Sequence, residues 1–112
     1  MQISTETFGN VLVAHTPDDL TDETASAFLD ALSTPIASGR VSIVLQMDHT
    51  EAFDSAGLTS LLDLHDELKQ QGGNLKVSGL ADAGRKIFEM TRLDQRFDLF
   101  DSVIDAVASF GT

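Results

Sequence analysis

The run Val41-Ser42-Ile43-Val44-Leu45-Gln46-Met47 restricts the fold of this chain more than any other feature, because it is almost continuously apolar. A half-buried strand would alternate polar and apolar residues, whereas a strand covered on both faces reads as an unbroken apolar run. Residues 41–47 are therefore predicted to form a central strand of a sheet that is covered on both faces.

Strand-like and helical segments alternate along the chain. In residues 55–71 leucines recur at helical spacing, and Gly72-Gly73 closes the segment. Such alternation predicts an α/β fold with parallel strands joined by right-handed crossovers. The predicted elements are a hairpin of residues 2–8 and 10–15 turning at Gly9-Asn10, a loop at 17–19, a helix with N-cap Thr21 that ends at Gly39, the strand 41–47, the helix 55–71, a strand at 74–80, a helix at 81–93, a strand at 97–100 and a final helix at 102–110.

Composition limits the function classes. The 112 residues suit a single domain over 1–112, and seven basic against eighteen acidic residues give a net charge of −11. Nucleic acid is a poor partner for so acidic a chain. The absence of cysteine excludes disulfides and thiolate metal sites. No apolar run approaches the roughly 18 residues of a membrane span, and the N-terminus lacks a signal-peptide pattern, so a cytoplasmic location without membrane insertion is expected.

The segment Phe53-Asp54-Ser55-Ala56-Gly57-Leu58 lies where the second predicted helix begins. Ser55 has two interpretations there. Its hydroxyl could cap the helix, as could the Asp54 carboxylate, or it could carry a phosphate near the positive helix terminus. Gly57 costs about 1 kcal/mol relative to Ala inside a helix, which suggests that some group approaches the backbone closely. From these residues alone, capping is the better supported interpretation.

Two further kinds of chemistry would need residue patterns that this sequence lacks. A serine hydrolase would need His49 as a base for Ser55, but no G-x-S-x-G elbow is present. A metal site would need grouped ligands, but His15, His49 and His65 are far apart and show no H-x-x-x-H spacing. His65 is expected to be a packed, hydrogen-bonded side chain and His49 a solvated one. The sequence thus predicts no metal, no cofactor and no enzyme activity.

Three segments together resemble the STAS domains, specifically the bacterial anti-sigma factor antagonists. The segments are "SIVLQM", "FDSAGLTSLLDLHDELKQQGGNLKVSGL" and "RKIFEMTRLDQRFDLFDSVIDAV", and the resemblance is strong from residue 41 onward. It implies a mixed sheet of four or five strands, with about four helices mainly on one face. One departure is clear: many members have G-x-L-D after the second strand, where this chain has Asp18-Asp19-Leu20-Thr21.

The resemblance also implies a function. Ser55 matches the serine that is phosphorylated by an anti-sigma factor, which is also a GHKL-type serine kinase. The unmodified antagonist binds that partner and releases the sigma factor, and a PP2C-type phosphatase restores binding after phosphorylation. Asp54 would orient the hydroxyl. The expected partner contacts are Asp19, Thr21, Asp54, Ser55, Ala56, Gly57 and Leu58, on a monomer or weak dimer.

An alternative keeps the fold and changes the function. STAS domains also act as unmodified binding modules, beside lipid-transport ABC complexes or in signalling scaffolds, and the altered residues at 18–21 are compatible with that use. A hydrolase that uses Ser55 is the third and least favoured hypothesis.

Overall fold

Residues 4–110 are described by a computed structural model. It has an α/β architecture in which a five-stranded sheet carries four α-helices. In chain order the elements are β1 (Thr5–Phe8), β2 (Val11–His15), β3 (Asp19–Leu20), α1 (Asp22–Ala37), β4 (Ser42–Gln46), β5 (Ala52–Phe53), α2 (Ser55–Gln70), β6 (Asn74–Ser78), α3 (Asp82–Met90), a 3-10 turn (Leu93–Gln95), β7 (Asp98–Phe100) and α4 (Val103–Ala108).

The main sheet has the strand order β1-β2-β4-β6-β7. Only β1 is antiparallel to its neighbour, and the other four strands are parallel. Strand β4 lies in the middle, and its Ile43, Val44 and Leu45 have no exposed surface. The prediction of a central strand within a mixed, largely parallel sheet is therefore confirmed.

Alternate residues of the strands face two separate cores. Leu12 of β2 and Ile43 of β4 pack with apolar residues of α1, α2 and α3, whereas Val13 and Val44 pack with Ala106 of α4. This two-residue period is what a pleated strand requires when both of its faces are covered. Three helices thus cover one face and the short α4 covers the other, as the expectation of helices mainly on one face requires.

Most of the predicted element boundaries are confirmed to within a few residues. Thr21 is the N-cap of α1, and the helix ends just before Gly39, whose φ is +94°. Helix α2 ends in a Schellman arrangement, in which the Gly73 N–H donates to the Leu68 carbonyl and the Gly72 N–H donates to that of Lys69. Residues 2 and 3 of the predicted hairpin lie outside the described residues.

The third helix is shorter than the sequence indicates. The helix predicted over 81–93 is confirmed for Asp82–Met90, but its predicted end is wrong, because the chain leaves the helix after Met90 and Arg92 adopts a left-handed conformation with φ 62°. The chain turns there into the 3-10 turn, which places Leu93 and Phe97 in the core. An apolar pattern that continues through a turn explains the overestimate, since periodicity does not reveal a change of backbone conformation.

The prediction of a loop at 17–19 is confirmed for residues 17 and 18 but wrong for Asp19. Asp19 and Leu20 form β3, which pairs in parallel with Ala52 and Phe53 of β5 in a second, two-stranded sheet. Each strand has only two residues, which is too short for an alternating pattern to be visible in the sequence.

Within residues 4–110 no helix has both the length and the apolar character that crossing a membrane requires.

Candidate functional site

Asp54, rather than Ser55, caps helix α2. The Asp54 Oδ1 atom accepts a hydrogen bond from the Gly57 N–H at 2.8 Å, and the backbone at Asp54 is extended, as is usual for an N-cap residue. Ser55 is therefore the first residue inside the helix. The hypothesis that the Ser55 hydroxyl is the cap is wrong, because the neighbouring carboxylate already fills that role.

The same carboxylate reaches a second helix. The Asp54 Oδ2 atom accepts a hydrogen bond from the N–H of Asp22, the first residue of α1, at 3.2 Å. The first N–H groups of a helix have no partner within the helix, and they carry its positive partial charge. One side chain therefore satisfies N–H groups at the start of two helices and holds their N-termini together.

The small sheet of β3 and β5 supports this junction, which is the pair of helix starts held by Asp54. The Asp54 N–H donates to the Leu20 carbonyl at 3.2 Å, and the Glu51 N–H donates to the Asp18 carbonyl at 2.8 Å. A buried hydroxyl adds a further link, because Thr50 Oγ1 donates to the Pro17 carbonyl at 2.6 Å. The loops that follow β2 and β4 are thereby joined along their length.

Gly57 permits the close approach of α2 to β3. A Cβ atom at Gly57 would lie 2.0 Å from the Leu20 carbonyl oxygen, which is far inside any allowed contact. The interpretation that a group approaches this glycine backbone is thus confirmed, and that group is the chain's own strand β3. The glycine is buried, so its role in the fold is to admit Leu20.

Ser55 is exposed on the surface of this junction. Within residues 4–110 its side chain has no hydrogen-bond partner, unlike Ser60 five residues later, whose Oγ donates to the Ala56 carbonyl at 3.0 Å. A hydroxyl without an intramolecular partner, held at a rigid helix start, can be reached by another protein. Ala56 is exposed beside it, whereas Leu58 is partly buried against the main core.

The residues predicted in the 18–21 segment also lie at this junction. Asp19 is exposed, and its carbonyl accepts a hydrogen bond from Thr24 Oγ1 at 2.7 Å. The Thr21 N–H donates to the same Thr24 oxygen at 2.9 Å. The backbone hydrogen bond between Asp54 and Leu20 therefore brings the two predicted groups together, with Asp19 and Thr21 on one side and residues 54–58 on the other.

The junction is strongly acidic. Asp22 and Glu23 are exposed in the first turn of α1, and Asp18 and Asp19 are exposed just before it. The Gly57 and Asp22 N–H groups, which could have received an anion, already donate to Asp54. An added negative charge at Ser55 would therefore stand near several carboxylates, and two of the N–H groups at the helix starts would not be available to it.

The structure contradicts the pairing of His49 with Ser55 that the hydrolase hypothesis requires. The His49 side chain is 76% exposed, its Nε2 atom lies 3.6 Å from Asp48 Oδ2, and it makes no hydrogen bond to Ser55 within the described residues.

His65 packs edge-on against the Phe97 ring with centroids 4.9 Å apart, but its buried Nδ1 atom has no hydrogen-bond partner in the described part of the chain. The prediction that His65 is packed is confirmed, but the hydrogen bond predicted for it is not found at Nδ1 within the described residues. In residues 4–110 no three His, Cys, Asp or Glu side chains are grouped for a metal ion.

Three contributors to the junction were not predicted from the sequence. They are the Asp22 N–H, the Leu20 carbonyl and the Thr24 hydroxyl. The first two are backbone groups, which carry no residue-type signal. The spacing of Thr21 and Thr24 was the one available hint, because a polar residue three positions after an N-cap often bonds back to the cap's N–H.

Comparison with known proteins gives the family and supports the fold. A family model described as the STAS domain matches residues 2–106. No match was found among curated proteins. An anti-sigma factor antagonist from Mycobacterium paratuberculosis is similar to this chain with a TM-score of 0.83 and 24% identity, over 96% of this chain and 92% of that one.

Two other solved structures are similar. The Bacillus cell fate determinant SpoIIAA in its phosphorylated form has a TM-score of 0.74 and 18% identity, over 97% of this chain and 99% of that one. A sulfate transporter family protein from Wolinella succinogenes has a TM-score of 0.80 and 17% identity, over 93% and 87% of the two chains. At these identities the structures establish the fold and leave the function to be argued from the site.

Proposed function

The chain belongs to the STAS domain family, and on that premise we propose that it is an anti-sigma factor antagonist that a serine kinase switches off by phosphorylating Ser55. The unmodified chain binds the anti-sigma factor, a GHKL-type kinase, and displaces the sigma factor. A PP2C-type phosphatase reverses the modification. The chain acts as a regulatory binding module without catalytic residues of its own, and its expected setting is the cytoplasm.

The observation that carries the proposal is the placement of Ser55. It is exposed at the first position of α2, its hydroxyl has no partner in the described part of the chain, and its neighbour Asp54 ties two helices into a rigid platform. A kinase needs an accessible hydroxyl in a fixed position, and a binding partner needs a surface that does not have to be ordered on contact. The junction offers both.

The electrostatics of the junction account for the switch. A phosphate adds about −1.5 to −2 charges at neutral pH. At Ser55 it would stand beside Asp54, whose carboxylate already accepts two backbone N–H groups, and near the exposed Asp22 and Glu23. Repulsion within an interface that covers these groups would weaken partner binding, and a coupling of about 1–3 kcal/mol corresponds to roughly 5- to 150-fold in affinity.

The departure from the family pattern at Asp18–Thr21 bears on this surface. Thr21 stands where many members have Asp, and it serves as the N-cap of α1. Asp54 reaches into the same helix start through the Asp22 N–H. The altered segment therefore keeps a capped helix, and Asp19 and Thr21 remain beside the residues that the partner would contact.

The test is phosphorylation by a candidate anti-sigma factor kinase from the same genome, with ATP, followed by intact-mass and peptide mass spectrometry. We expect one phosphate, on Ser55, and none on the Ser55→Ala chain. Ser60→Ala is the matched control because Ser60 lies on the same helix five residues later, and it should be modified like the original chain. Modification that persists in Ser55→Ala would contradict the proposal.

A second candidate function is an unmodified binding module beside a membrane transporter. The structural similarity to the sulfate transporter family protein is the observation that supports this second function. It predicts stable binding to a transporter subunit and no phosphate on Ser55 with any kinase of the same genome. Ser55→Asp separates the two functions: it should weaken binding of an anti-sigma factor, measured by calorimetry, whereas a module that is never modified has no reason to respond in this way.

A further inference from the structure

The C-terminal halves of α1 and α2 enclose a groove that has no part in the Ser55 junction. Its volume is about 370 Å³. The Asp54 carboxylate accepts hydrogen bonds from the N-terminal turns of both helices, and residues of both C-terminal halves line the groove at the other end of the pair. Along α2 the groove residues Asp63 and Glu67 follow Ser55 by eight and twelve positions, or about 12 and 18 Å at 1.5 Å per residue.

The floor of the groove is apolar. Ile36 of α1 and Leu64 of α2 are buried members of the main core, and Leu29 is partly buried against it. Ile36 is 7% and Leu64 2% exposed, so these two side chains form the packed base of the groove, and the partly buried Leu29 supplies more of its accessible apolar surface. An apolar side chain from a partner could therefore extend the existing core without a rearrangement of the fold.

The wall formed by α2 carries two negative charges, those of Asp63 and Glu67, that no nearby basic side chain among residues 4–110 neutralises. Asp63 and Glu67 are exposed one turn apart, and within residues 4–110 neither forms an ion pair. Like charges four residues apart destabilise an isolated helix by about 0.2–0.5 kcal/mol. No Lys, Arg or His lines the groove. Asp66 of the same helix, by contrast, has the Arg96 guanidinium 3.7 Å away.

We propose that this groove docks an amphipathic helical segment of a protein partner, with apolar side chains on the floor and Lys or Arg side chains against Asp63 and Glu67. Charge complementarity selects that chemistry, because a basic residue of the partner would relieve the repulsion between the two carboxylates. The α1 wall runs from Leu29 to Ala37, or about 12 Å, which matches two helical turns. A helix in a groove with anchors one turn apart is a recurrent mode of recognition.

This docking goes beyond the switch and is independent of it. A phosphate at Ser55 would lie about 12–18 Å along α2 from the two acids, beyond the screening length of about 8 Å at physiological ionic strength. The bound segment would therefore remain bound when Ser55 is phosphorylated. A partner that holds this groove would stay with the antagonist through both states of the switch.

The probe is a synthetic peptide of about 14 residues, near the length at which isolated helices become marginally stable in water, with Leu on one face and Lys on the other. A peptide of the same composition in scrambled order is the reference. In two-dimensional amide NMR we expect the shift changes to concentrate on residues 29–37 and 63–71. Equal binding of the scrambled peptide, or shift changes spread over the acidic surface, would overturn the proposal.

Two double variants test whether the peptide binds in the groove or is attracted by the overall negative charge of the protein. Asp63→Lys/Glu67→Lys should weaken peptide binding at least about tenfold, or 1.4 kcal/mol. The control Asp94→Lys/Asp98→Lys changes the net charge equally at two exposed acids elsewhere and should change binding by less than about threefold. Equal losses in the two double variants would mean that net charge alone attracts the peptide, which contradicts the proposal.

Two further variants test the shape of the groove and its independence from Ser55. Ser33 is exposed on the α1 wall, and Ser33→Phe should block peptide binding while the protein stays folded. Unchanged binding by Ser33→Phe would rule out the groove as the site. Ser55→Asp should bind the peptide within about twofold of the original chain. A larger loss would refute the independence, and the kinase assay on Ser55 would be unaffected by any of these outcomes.

Discussion

The helix pair α1 and α2 differs sharply between its two ends. At the N-terminal end the helices are held together by the Asp54 carboxylate, whose two oxygens accept from Gly57 and Asp22, and by a glycine packed on the Leu20 carbonyl. At the C-terminal end they line a groove with an apolar floor and two acids, Asp63 and Glu67, that form no ion pair within residues 4–110.

The two ends of this helix pair show that one scaffold can offer two kinds of contact. The N-terminal end is a tight junction in which a single added group changes local charge and packing, so it suits a covalent switch. The C-terminal end is an open surface whose contacts are set by charge and apolar area, so it suits docking that does not respond to that switch. Substitutions at Gly57, Asp54 and Ser55 test this contrast.

Gly57→Ala should have the largest effect. The new Cβ would meet the Leu20 oxygen at 2.0 Å, and neither backbone can move freely because β3 is paired with β5. We expect a loss of about 3 kcal/mol in the free energy of unfolding, at the upper end of the usual range for overpacking. Chemical denaturation followed by circular dichroism measures it.

Gly73→Ala is the matched control at the other end of α2. Its Cβ would lie 2.0 Å from the Val41 carbonyl oxygen, so a similar loss of stability is expected. Under conditions where both variants are folded, only Gly57→Ala should slow phosphorylation of Ser55, because only it disturbs the junction. Equal effects of the two variants on phosphorylation would contradict the contrast between the two ends.

Asp54→Ala should have an intermediate effect. It removes the acceptor for N–H groups of two helices at once, and a lost cap typically destabilises by about 1 kcal/mol, so we expect about 2 kcal/mol. Ser102→Ala is the control with one cap, because Ser102 Oγ accepts only from the Asp105 N–H at the start of α4. It should lose about 1 kcal/mol. Losses of equal size in thermal or chemical unfolding would show that the bond to Asp22 contributes nothing.

Ser55→Ala should have the smallest effect on stability. The side chain is exposed and has no hydrogen-bond partner within the described residues, so the free energy of unfolding should change by less than about 0.5 kcal/mol. The same variant should lose all phosphorylation. A stability loss as large as that of Asp54→Ala would show that the hydroxyl holds the junction together, which would leave it unsuited to a switch.

Much of the candidate site could be predicted from local patterns. The Asp-Ser pair before a leucine-faced helix indicated a helix start, and Gly57 indicated a close backbone approach, both of which the structure confirms. The identity of the capping residue was not predicted, because Asp54 and Ser55 are both good caps and stand side by side. The backbone conformation at Asp54 decides between them.

Local sequence patterns were enough to predict the main strands and helices in order, the buried central strand β4 and the start of each helix, because periodicity and capping act over a few neighbouring residues. The pairing of β3 with β5, the contact of Leu20 with Gly57 and the hydrogen bond from Asp22 to Asp54 became visible only in the folded chain. Those contacts join residues more than thirty positions apart through backbone groups. Backbone groups are the same at every position, so no residue pattern marks which of them will meet.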